Sequence, residues 1–301
     1  MASPETTQAG TAPTTAERRA LQQITTSGGR FAVIAADHGQ PLVDMLDGLG
    51  LSSVPEDQRA FKADLLDTVG RDAGAVLLDP DVSLPDLVDR DLIARDVGLI
   101  VRIEADGWEV QDGLRQSQMI ADLGAGGARA RGAAAAKVMV FLRADREDHD
   151  GYAAQLVRGA LEDCRRADLL CVIELMTYRL EDESPEEFAA RKEDLVVDGA
   201  VLLQECGSKV LKLEYPGSAD GCRRITDALE VPWAVLSAGV DHDAFCDQLR
   251  DAMDGGADGF IAGRSLWKEA VGMPQPERRR FLDGVARRRL EEMLTIVDSA
   301  A

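Results

Sequence analysis

The chain has 301 residues, a formal net charge of −20 and a pI near 4.6. This length suits one large domain or two small ones, and 45% hydrophobic residues with only 4% aromatics predict an aliphatic core. The negative charge argues against binding to nucleic acid or anionic membranes, and no apolar run approaches the length of a membrane span.

The cysteines and histidines limit the chemistry further. Five cysteines without a C-x-x-C pair are typical of reduced, mostly buried thiols, and no secretion signal opens the chain, so we expect a cytoplasmic protein. The three histidines, His38, His149 and His242, are widely separated. A zinc-dependent enzyme usually needs several clustered ligands, so we expect no metal and no other cofactor.

Residues 1–14 are small and polar with two prolines, which predicts a disordered tail before one domain at residues 15–301. After a short helix at residues 16–27, apolar runs alternate with helical patterns. The predicted strands are residues 31–36, 75–78, 98–103, 137–142, 169–173, 209–214, 233–236 and 259–262. The predicted helices are residues 56–71, 86–95, 114–123, 152–166, 185–207, 220–229 and 243–255, with a short piece before the fourth strand and a long amphipathic helix at the C-terminus.

Eight buried strands that alternate with helices predict a parallel sheet. The strand count and the chain length fit a closed (β/α)8 TIM barrel better than an open doubly wound sheet. No G-x-G-x-x-G motif follows the first strand, which argues against a dinucleotide-binding fold. We therefore predict a single α/β barrel domain.

The sixth predicted strand carries a lysine in its middle, Lys212, between two leucines. Strand alternation puts Val210, Lys212 and Glu214 on one face. If that face points into the barrel, burial favours the neutral amine, which is the form that attacks a ketone to make a Schiff base. Taken alone, a strand lysine is more typical of a surface facing water.

Polar residues stand at the ends of most predicted strands, where barrel enzymes carry their chemistry. They are Asp37, Asp79, Arg143, Glu174, Lys212 with Glu214, Ser237 with Gly239, and Gly263 with Arg264. Each could be a cap or a solvated charge, and Asp79 before a proline is more typical of a turn. A ring of such residues at the ends of apolar strands favours a functional site.

The last two strands end in small-residue turns that expose backbone N–H groups, Ser237-Ala-Gly239 and Gly263-Arg264-Ser265. Many barrels bind phosphate at this place. Glycine is common in such turns, but the guanidinium of Arg264 adds a charged fork that suits phosphate oxygens. The pair of turns therefore predicts a phosphate site.

Seven short motifs together resemble a known family. In chain order they are Ala-Asp37-His-Gly, Leu-Leu-Asp79-Pro, Lys137-Val-Met-Val-Phe-Leu-Arg-Ala-Asp145, Ile-Glu174-Leu, Lys212-Leu-Glu-Tyr-Pro, Leu-Ser237-Ala-Gly-Val and Ala-Gly263-Arg264-Ser-Leu-Trp267. They resemble the class I aldolases that cleave tagatose 1,6-bisphosphate and 6-deoxy-6-sulfofructose 1-phosphate. The resemblance covers roughly residues 30–297 and is closer to the sulfofructose-phosphate branch at Arg-Ala-Asp145 and the C-terminal helix.

The resemblance implies roles for four residues. Lys212 matches the Schiff-base lysine, and Lys137 matches a second lysine whose charge would favour neutral Lys212, although a strand-start lysine facing water is an equal reading. Glu174 matches the proton-transferring carboxylate, and Asp37 matches the aspartate that binds substrate hydroxyls or handles the C4 proton. The tagatose branch has Asp-Gln-Arg where this chain has Asp37-His38-Gly39, so an arginine that could contact substrate is missing.

The implied reaction is metal-independent cleavage of a ketose 1-phosphate to dihydroxyacetone phosphate and an aldehyde. The ketose would be sulfofructose 1-phosphate or a sugar similar to tagatose or fructose bisphosphate. A Schiff-base lyase or synthase acting on another keto sugar or keto acid shares every feature except the substrate, and a non-catalytic sugar-phosphate sensor is a third reading. The expected partner is a sugar phosphate, and homo-oligomerisation stays open.

Overall fold

The computed structural model describes residues 12–300 and contains eight parallel strands closed into a barrel. The strands are β1 (Phe31–Ala36), β2 (Ala75–Leu78), β3 (Gly98–Arg102), β4 (Ala135–Phe141), β5 (Leu170–Met176), β6 (Val210–Glu214), β7 (Trp233–Leu236) and β8 (Gly259–Ala262). Each strand pairs with the next one in the chain, and β8 closes the ring on β1. The predicted (β/α)8 barrel is confirmed.

Helices precede, connect and follow the strands. They are α1 (Thr15–Gln23), α2 (Gln40–Gly48), α3 (Pro55–Thr68), α4 (Asp86–Asp89), α5 (Gly124–Ala130), α6 (Tyr152–Arg166), α7 (Pro185–Glu205), α8 (Ala219–Ala228), α9 (His242–Asp254), α10 (Arg264–Trp267), α11 (Gln275–Phe281) and α12 (Arg287–Ser299). Short 3-10 turns occupy Gly70–Asp72 and Lys268–Ala270, and a π-helical turn at Leu282–Ala286 joins α11 to α12. No helix within residues 12–300 is both long and apolar enough to cross a lipid bilayer.

The barrel has two apolar clusters because strand side chains alternate between its inside and its outside. The outer cluster lies between strands and helices and includes Leu211 and Leu213. The inner cluster contains residues from the beginnings of the strands, among them Val210, together with Ala20 and Ile24 from α1 and its end. Thus α1 covers the N-terminal end of the barrel, and the opposite end is left for a site.

Several local predictions were wrong. Residues 114–123 do not form a helix, because Glu109–Gln111 and Leu114–Gln116 pair as an antiparallel hairpin. The turn between them is Asp112-Gly113, and both residues have positive φ (52° and 78°). Asp-Gly is a strong signal for a two-residue hairpin turn and outweighs a weak helical pattern. In addition, α2 was not predicted, and α4 ends at Asp89 instead of continuing to residue 95.

The predicted tail at residues 1–14 falls mostly on residues 1–11, which lie outside the described part of the chain. Its last residue belongs to the folded domain, because Thr14 is the N-cap of α1. Its hydroxyl accepts a hydrogen bond from the Glu17 N–H (3.2 Å), and the Glu17 carboxylate accepts one from the Thr14 N–H (2.7 Å). This reciprocal capping box satisfies two N–H groups at the start of α1.

Candidate active site

A cavity of about 440 Å³ lies at the C-terminal ends of the strands. It is lined by residues from several strands and the loops that follow them, including Asp37, His38, Arg102, Glu104, Lys137, Glu174, Lys212, Ser237, Gly239, Gly263 and Arg264. Nine of these eleven residues carry a charged or hydrogen-bonding side chain, and the other two are glycines. The cavity is the natural place for the chemistry of a barrel enzyme.

Lys212 and Glu174 face each other inside the cavity. They are register partners on neighbouring strands, β6 and β5, so their side chains point to the same side of the sheet. The Nζ atom of Lys212 lies 2.9 Å from Oε1 of Glu174. Both residues are buried, at 5% and 7% exposure, so this pair is shielded from bulk water.

Lys137 lies at the centre of a cluster of carboxylates. Its Nζ atom is 2.9 Å from Oδ2 of Asp37 and 3.0 Å from Oε2 of Glu174, and it also donates a hydrogen bond to Glu104. Burial by itself would lower the pKa of Lys137, but Asp37, Glu104 and Glu174 raise it well above its usual value. Lys137 is therefore a permanent positive charge inside the cavity.

The three carboxyl groups around Lys137 differ in acidity. Burial would raise the pKa of Asp37 and of Glu174, but the charges of Lys137 and then Lys212 hold the pKa of Asp37 well below its usual range and lower that of Glu174. Burial raises the pKa of Glu104, and Lys137 only partly offsets this effect. Asp37 and Glu174 are thus ionised at neutral pH and can act as bases, whereas Glu104 holds a proton more readily.

The turns after β7 and β8 form one side of the cavity. Ser237, Gly239, Gly263 and Arg264 all line it. Gly239 has a φ of +79°, and a Cβ on Gly263 would lie 2.4 Å from the carbonyl oxygen of Ala35, so neither position accepts a side chain easily. The Nε atom of Arg264 is buried and has no hydrogen-bond partner within residues 12–300. The arrangement leaves a cationic donor available to an anion.

His38 lies beside this turn as a neutral group. Its ring packs against Trp267 with 5.2 Å between ring centroids, and the Trp267 indole N–H donates to the Ala35 carbonyl. Burial lowers the pKa of His38 to about 3, and its neighbour Asp37 only partly counteracts this. His38 therefore adds no positive charge to the cavity at neutral pH.

The family model of the DeoC/LacD family aldolases matches residues 34–269, which is most of the barrel. The chain belongs to the DeoC/LacD family of aldolases. The prediction of a class I aldolase is confirmed at the level of the family.

Relatives of this aldolase agree with that assignment. The tagatose 1,6-diphosphate aldolase 2 of Enterococcus faecalis is 25% identical over 284 residues, covering 86% of this chain and 85% of that protein. The tagatose 1,6-diphosphate aldolase of Staphylococcus epidermidis is 27% identical over 259 residues, covering 76% of this chain and 79% of that protein.

Solved structures show the same barrel. A Schiff-base-forming fructose-1,6-bisphosphate aldolase is similar with a TM-score of 0.61 and 19% identity, covering 91% of this aldolase and 98% of that chain. The fructose-bisphosphate aldolase of Slackia heliotrinireducens has a TM-score of 0.65 and 15% identity, covering 95% and 91% respectively. At these identities the likeness supports the fold alone.

Of the candidate site residues of the aldolase, eight line the cavity. They are Asp37, Lys137, Glu174, Lys212, Ser237, Gly239, Gly263 and Arg264. The other three candidates, Asp79, Arg143 and Glu214, do not line it. Their positions at strand ends predict a place in the site, but each side chain contacts other protein groups instead.

Asp79 is a turn former. It accepts hydrogen bonds from the Val82 N–H (2.7 Å) and from the Ser83 N–H (3.1 Å) and hydroxyl (2.6 Å), and it forms a buried ion pair with Lys62. These contacts use both oxygens of its carboxylate. The prediction that Asp79 contacts substrate therefore has no support in the geometry. The alternative interpretation, that Asp79 stabilises a turn, agrees with these contacts.

Arg143 and Glu214 are likewise bound to protein groups. The Arg143 guanidinium is fully buried, with Nη1 2.7 Å from Glu183 and Nε 2.9 Å from Asp145. Glu214 accepts hydrogen bonds from the N–H (2.7 Å) and the hydroxyl (2.8 Å) of Thr177. Neither group is available to a substrate, because the end of a strand can turn its side chain toward the connecting loops as well as into the barrel.

Sequence reasoning missed several residues of the cavity. Glu104 follows β3 at the barrel end that carries chemistry, so the rule that found Asp37 would also have found it. Arg102 ends β3 and forms an ion pair of 2.5 Å with Asp106. Trp108 precedes the hairpin, whose second strand lies in the predicted helix at residues 114–123, and no sequence signal placed it at the cavity.

One group of potential metal ligands occurs within residues 12–300, and it lies outside the cavity. His242 Nε2 is 3.0 Å from Glu292 Oε2, and Cys246 Sγ is 3.4 Å from the same nitrogen. Arg250 already contacts Glu292 at 3.2 Å. These contacts tie α9 to α12, and burial raises the pKa of Cys246 to about 11, which keeps the thiol protonated.

Proposed function

We propose that this aldolase cleaves a ketose 1-phosphate to dihydroxyacetone phosphate and an aldehyde through a Schiff base on Lys212. The observation that carries the proposal is the pair of buried lysines with unequal surroundings. Lys137 contacts three carboxylates and stays charged, whereas Lys212 contacts a single carboxylate, Glu174, which it shares with Lys137. Of the two amines, Lys212 has fewer contacts with carboxylates, and we assign the attack on the ketone to it.

The proposed reaction begins when Nζ of Lys212 attacks the C2 ketone of the sugar. Glu174, 2.9 Å from that nitrogen, moves the protons needed to expel the C2 oxygen as water and leave an iminium. The C3–C4 bond then breaks, and its electron pair flows into the iminium to give an enamine while the C4 hydroxyl proton passes to a carboxylate. The C4 carbon leaves as the aldehyde carbonyl.

The second half of the proposed reaction returns the enzyme to its starting state. A proton is delivered to C3 of the enamine, water adds to the resulting iminium, and dihydroxyacetone phosphate leaves as Lys212 is regenerated. Glu174 and Asp37 are both ionised and line the cavity, so either can accept the C4 hydroxyl proton. The contact of Glu174 with Lys212 favours Glu174 for the proton transfers, with Asp37 binding substrate hydroxyls.

The phosphate on C1 is proposed to bind at the turns after β7 and β8. Arg264 has no carboxylate partner within residues 12–300, and Gly239 and Gly263 keep this part of the wall free of side chains. Lys268 stabilises the turn after β7, because its Nζ atom donates a hydrogen bond of 3.2 Å to the Gly239 carbonyl. Holding the phosphate there would position the ketone for attack by Lys212.

A trapping experiment tests the covalent step. Borohydride added with dihydroxyacetone phosphate should leave a stable mass adduct on the peptide that contains Lys212, and Lys212→Met should abolish it. Lys192→Met is the matched control, because Lys192 lies outside the cavity and pairs with Glu214 at 3.6 Å. An adduct on the peptide that contains Lys137 would refute the assignment of the nucleophile.

A further inference from the structure

We propose that the aldehyde half of the substrate is uncharged and ends in an apolar group, so that the phosphate on C1 is the only anionic group of the substrate. This inference rests on the proposed function, because it takes the phosphate to bind at Arg264. It narrows the substrate class to ketose monophosphates and excludes bisphosphates and sulfonated sugar phosphates.

The first argument is the balance of charges in the cavity. Four cationic side chains line it, and three of them already contact carboxylates: Lys137, Lys212 and Arg102, the last through Asp106. Arg264 has no ion pair within residues 12–300, and its Nε atom is buried without a hydrogen-bond partner. Because a buried anion needs an unpaired cation or several donors, the cavity offers one position for an anion.

The second argument is the chemistry of the wall opposite Arg264. Arg264 follows β8, and β4 is the strand four places away in the ring of eight. From that side Met139 and Phe141 of β4 and Met176 of β5 line the cavity. Trp108 also lines it and packs against Phe141, with 5.0 Å between ring centroids. Thioethers and aromatic rings suit an apolar group, and a phosphate buried against them would lose its hydration without compensation.

The third argument is a further carboxylate that lines the cavity, Asp106. Asp106 lines the cavity two residues before Trp108. It fills the space beside Gly39, because a Cβ on that glycine would lie 2.0 Å from Oδ2 of Asp106. Its Oδ1 atom also forms an ion pair with Nη1 of Arg102 at 2.5 Å. A second phosphate near Asp106 would find Arg102 already paired with this carboxylate and would gain no free cation there, which is a means of selecting against bisphosphates.

Arg115 is a further cation next to the apolar wall. Its guanidinium carbon lies 4.2 Å from the ring centre of Trp108, 4.8 Å from that of Tyr178 and 5.4 Å from that of Phe141. Arg115 does not line the cavity, and the rings that it contacts offer it cation–π stabilisation. It therefore supports the aromatic side chains of the wall and does not receive an anion.

The test is aldol addition of dihydroxyacetone phosphate to three aldehydes that differ only at their third carbon. Lactaldehyde ends in a methyl group, glyceraldehyde 3-phosphate in a phosphate, and 3-sulfolactaldehyde in a sulfonate. We expect kcat/KM for lactaldehyde to exceed the values for both anionic aldehydes by roughly tenfold or more. A value for either anionic aldehyde equal to or above that for lactaldehyde overturns the proposal.

Two variants test the wall itself. Met176→Arg adds a cation there and should shift the preference toward glyceraldehyde 3-phosphate by about tenfold relative to lactaldehyde. An unchanged preference in the folded variant would show that the wall does not contact the aldehyde. Arg115→Met should leave the preference unchanged, whereas a selective loss of activity with an anionic aldehyde would show that Arg115 binds that anion and would overturn the proposal.

The borohydride adduct of dihydroxyacetone phosphate on Lys212 separates the two proposals, because it forms without any aldehyde. If the adduct forms and the aldolase prefers anionic aldehydes, only the proposal that the aldehyde is uncharged is refuted. Failure to form an adduct at Lys212 refutes the proposed Schiff-base function as well.

Discussion

Glu174 and Lys212 are register partners on β5 and β6, and their side chains meet at 2.9 Å inside the barrel. The same carboxylate contacts Lys137 at 3.0 Å through its other oxygen. Glu174 therefore lies between a lysine that stays charged and the lysine proposed to attack. Removal of its charge should affect proton transfer more than covalent capture.

Glu174→Gln should still form the borohydride adduct, at a reduced rate, because the nucleophile Lys212 is retained. It should turn over about 10²–10⁴-fold more slowly, because an amide cannot accept a proton. Steady-state kinetics and mass spectrometry of the trapped variant measure the two effects separately. Glu230→Gln, at an exposed glutamate outside the cavity, is the control and should behave as the native aldolase does. Near-native turnover in Glu174→Gln would move the proton-transfer role to another group.

Arg264→Ala should lower kcat/KM for a ketose 1-phosphate by about 10–100-fold, since a charge-assisted hydrogen bond contributes roughly 1.5–3 kcal/mol. Arg264→Lys should restore part of the loss, because an ammonium cannot reproduce the two-pronged contact of a guanidinium. The slow reaction of an unphosphorylated ketose should scarcely change. Equal losses on both substrates would indicate that Arg264 is structural.

Arg143→Met should destabilise the aldolase by roughly 3–5 kcal/mol, because it removes the 2.7 Å ion pair with the buried carboxylate of Glu183. Asp145 is exposed and keeps its contact with Arg191 at 2.6 Å. Chemical denaturation measures this loss. KM of the folded variant should stay native, since Arg143 does not line the cavity. Asp145→Asn is a milder second variant, and a raised KM in either would return Arg143 to the list of substrate contacts.

The neutral state of His38 predicts a pH dependence of stability. Its pKa is lowered to about 3 in the folded protein, so below about pH 6.5 the unfolded chain binds a proton that the folded chain does not. The contribution of His38 to the free energy of unfolding is therefore fully present above that pH. It is lost as the pH falls, by up to about 1.4 kcal/mol per pH unit.

Denaturation curves between pH 4.5 and 7.5 measure this dependence. His38→Gln should make it shallower, and His149→Gln, at an exposed histidine, is the control for loss of an imidazole elsewhere. Identical slopes in the native protein and His38→Gln would mean that His38 titrates normally in the folded state.

The start of the domain can be tested at the cap of α1. Thr14→Ala should cost about 1 kcal/mol of stability, because it removes the side-chain acceptor for the Glu17 N–H. Deletion of residues 1–11 should leave the melting temperature and turnover unchanged, as their small, polar, proline-containing composition predicts. A large drop on deletion would show that this segment packs on the domain.

Local sequence pattern determined the barrel of this aldolase. Short apolar runs such as residues 31–36 and 259–262 can be strands buried on both faces, and helical patterns between them require parallel order. The period of two also determined that Lys212 shares a face with Val210, and the structure confirms that this face is the inside of the barrel. These predictions succeeded because they depend only on neighbours in the chain. The helix predicted at residues 114–123 was wrong because the Asp-Gly turn of the hairpin at residues 109–116 was not recognised.

The tertiary structure decided which strand-end residues share the cavity. Asp79 and Arg143 follow predicted strands just as Asp37 and Glu174 do. However, the Asp79 carboxylate contacts Lys62 and Ser83. The Arg143 guanidinium contacts Glu183 and Asp145. Likewise, no local pattern shows that Glu104 and Asp37 meet at Lys137, because they come from different strands. Charge and acidity depend on distances across the barrel, and only the closed ring of strands sets those distances.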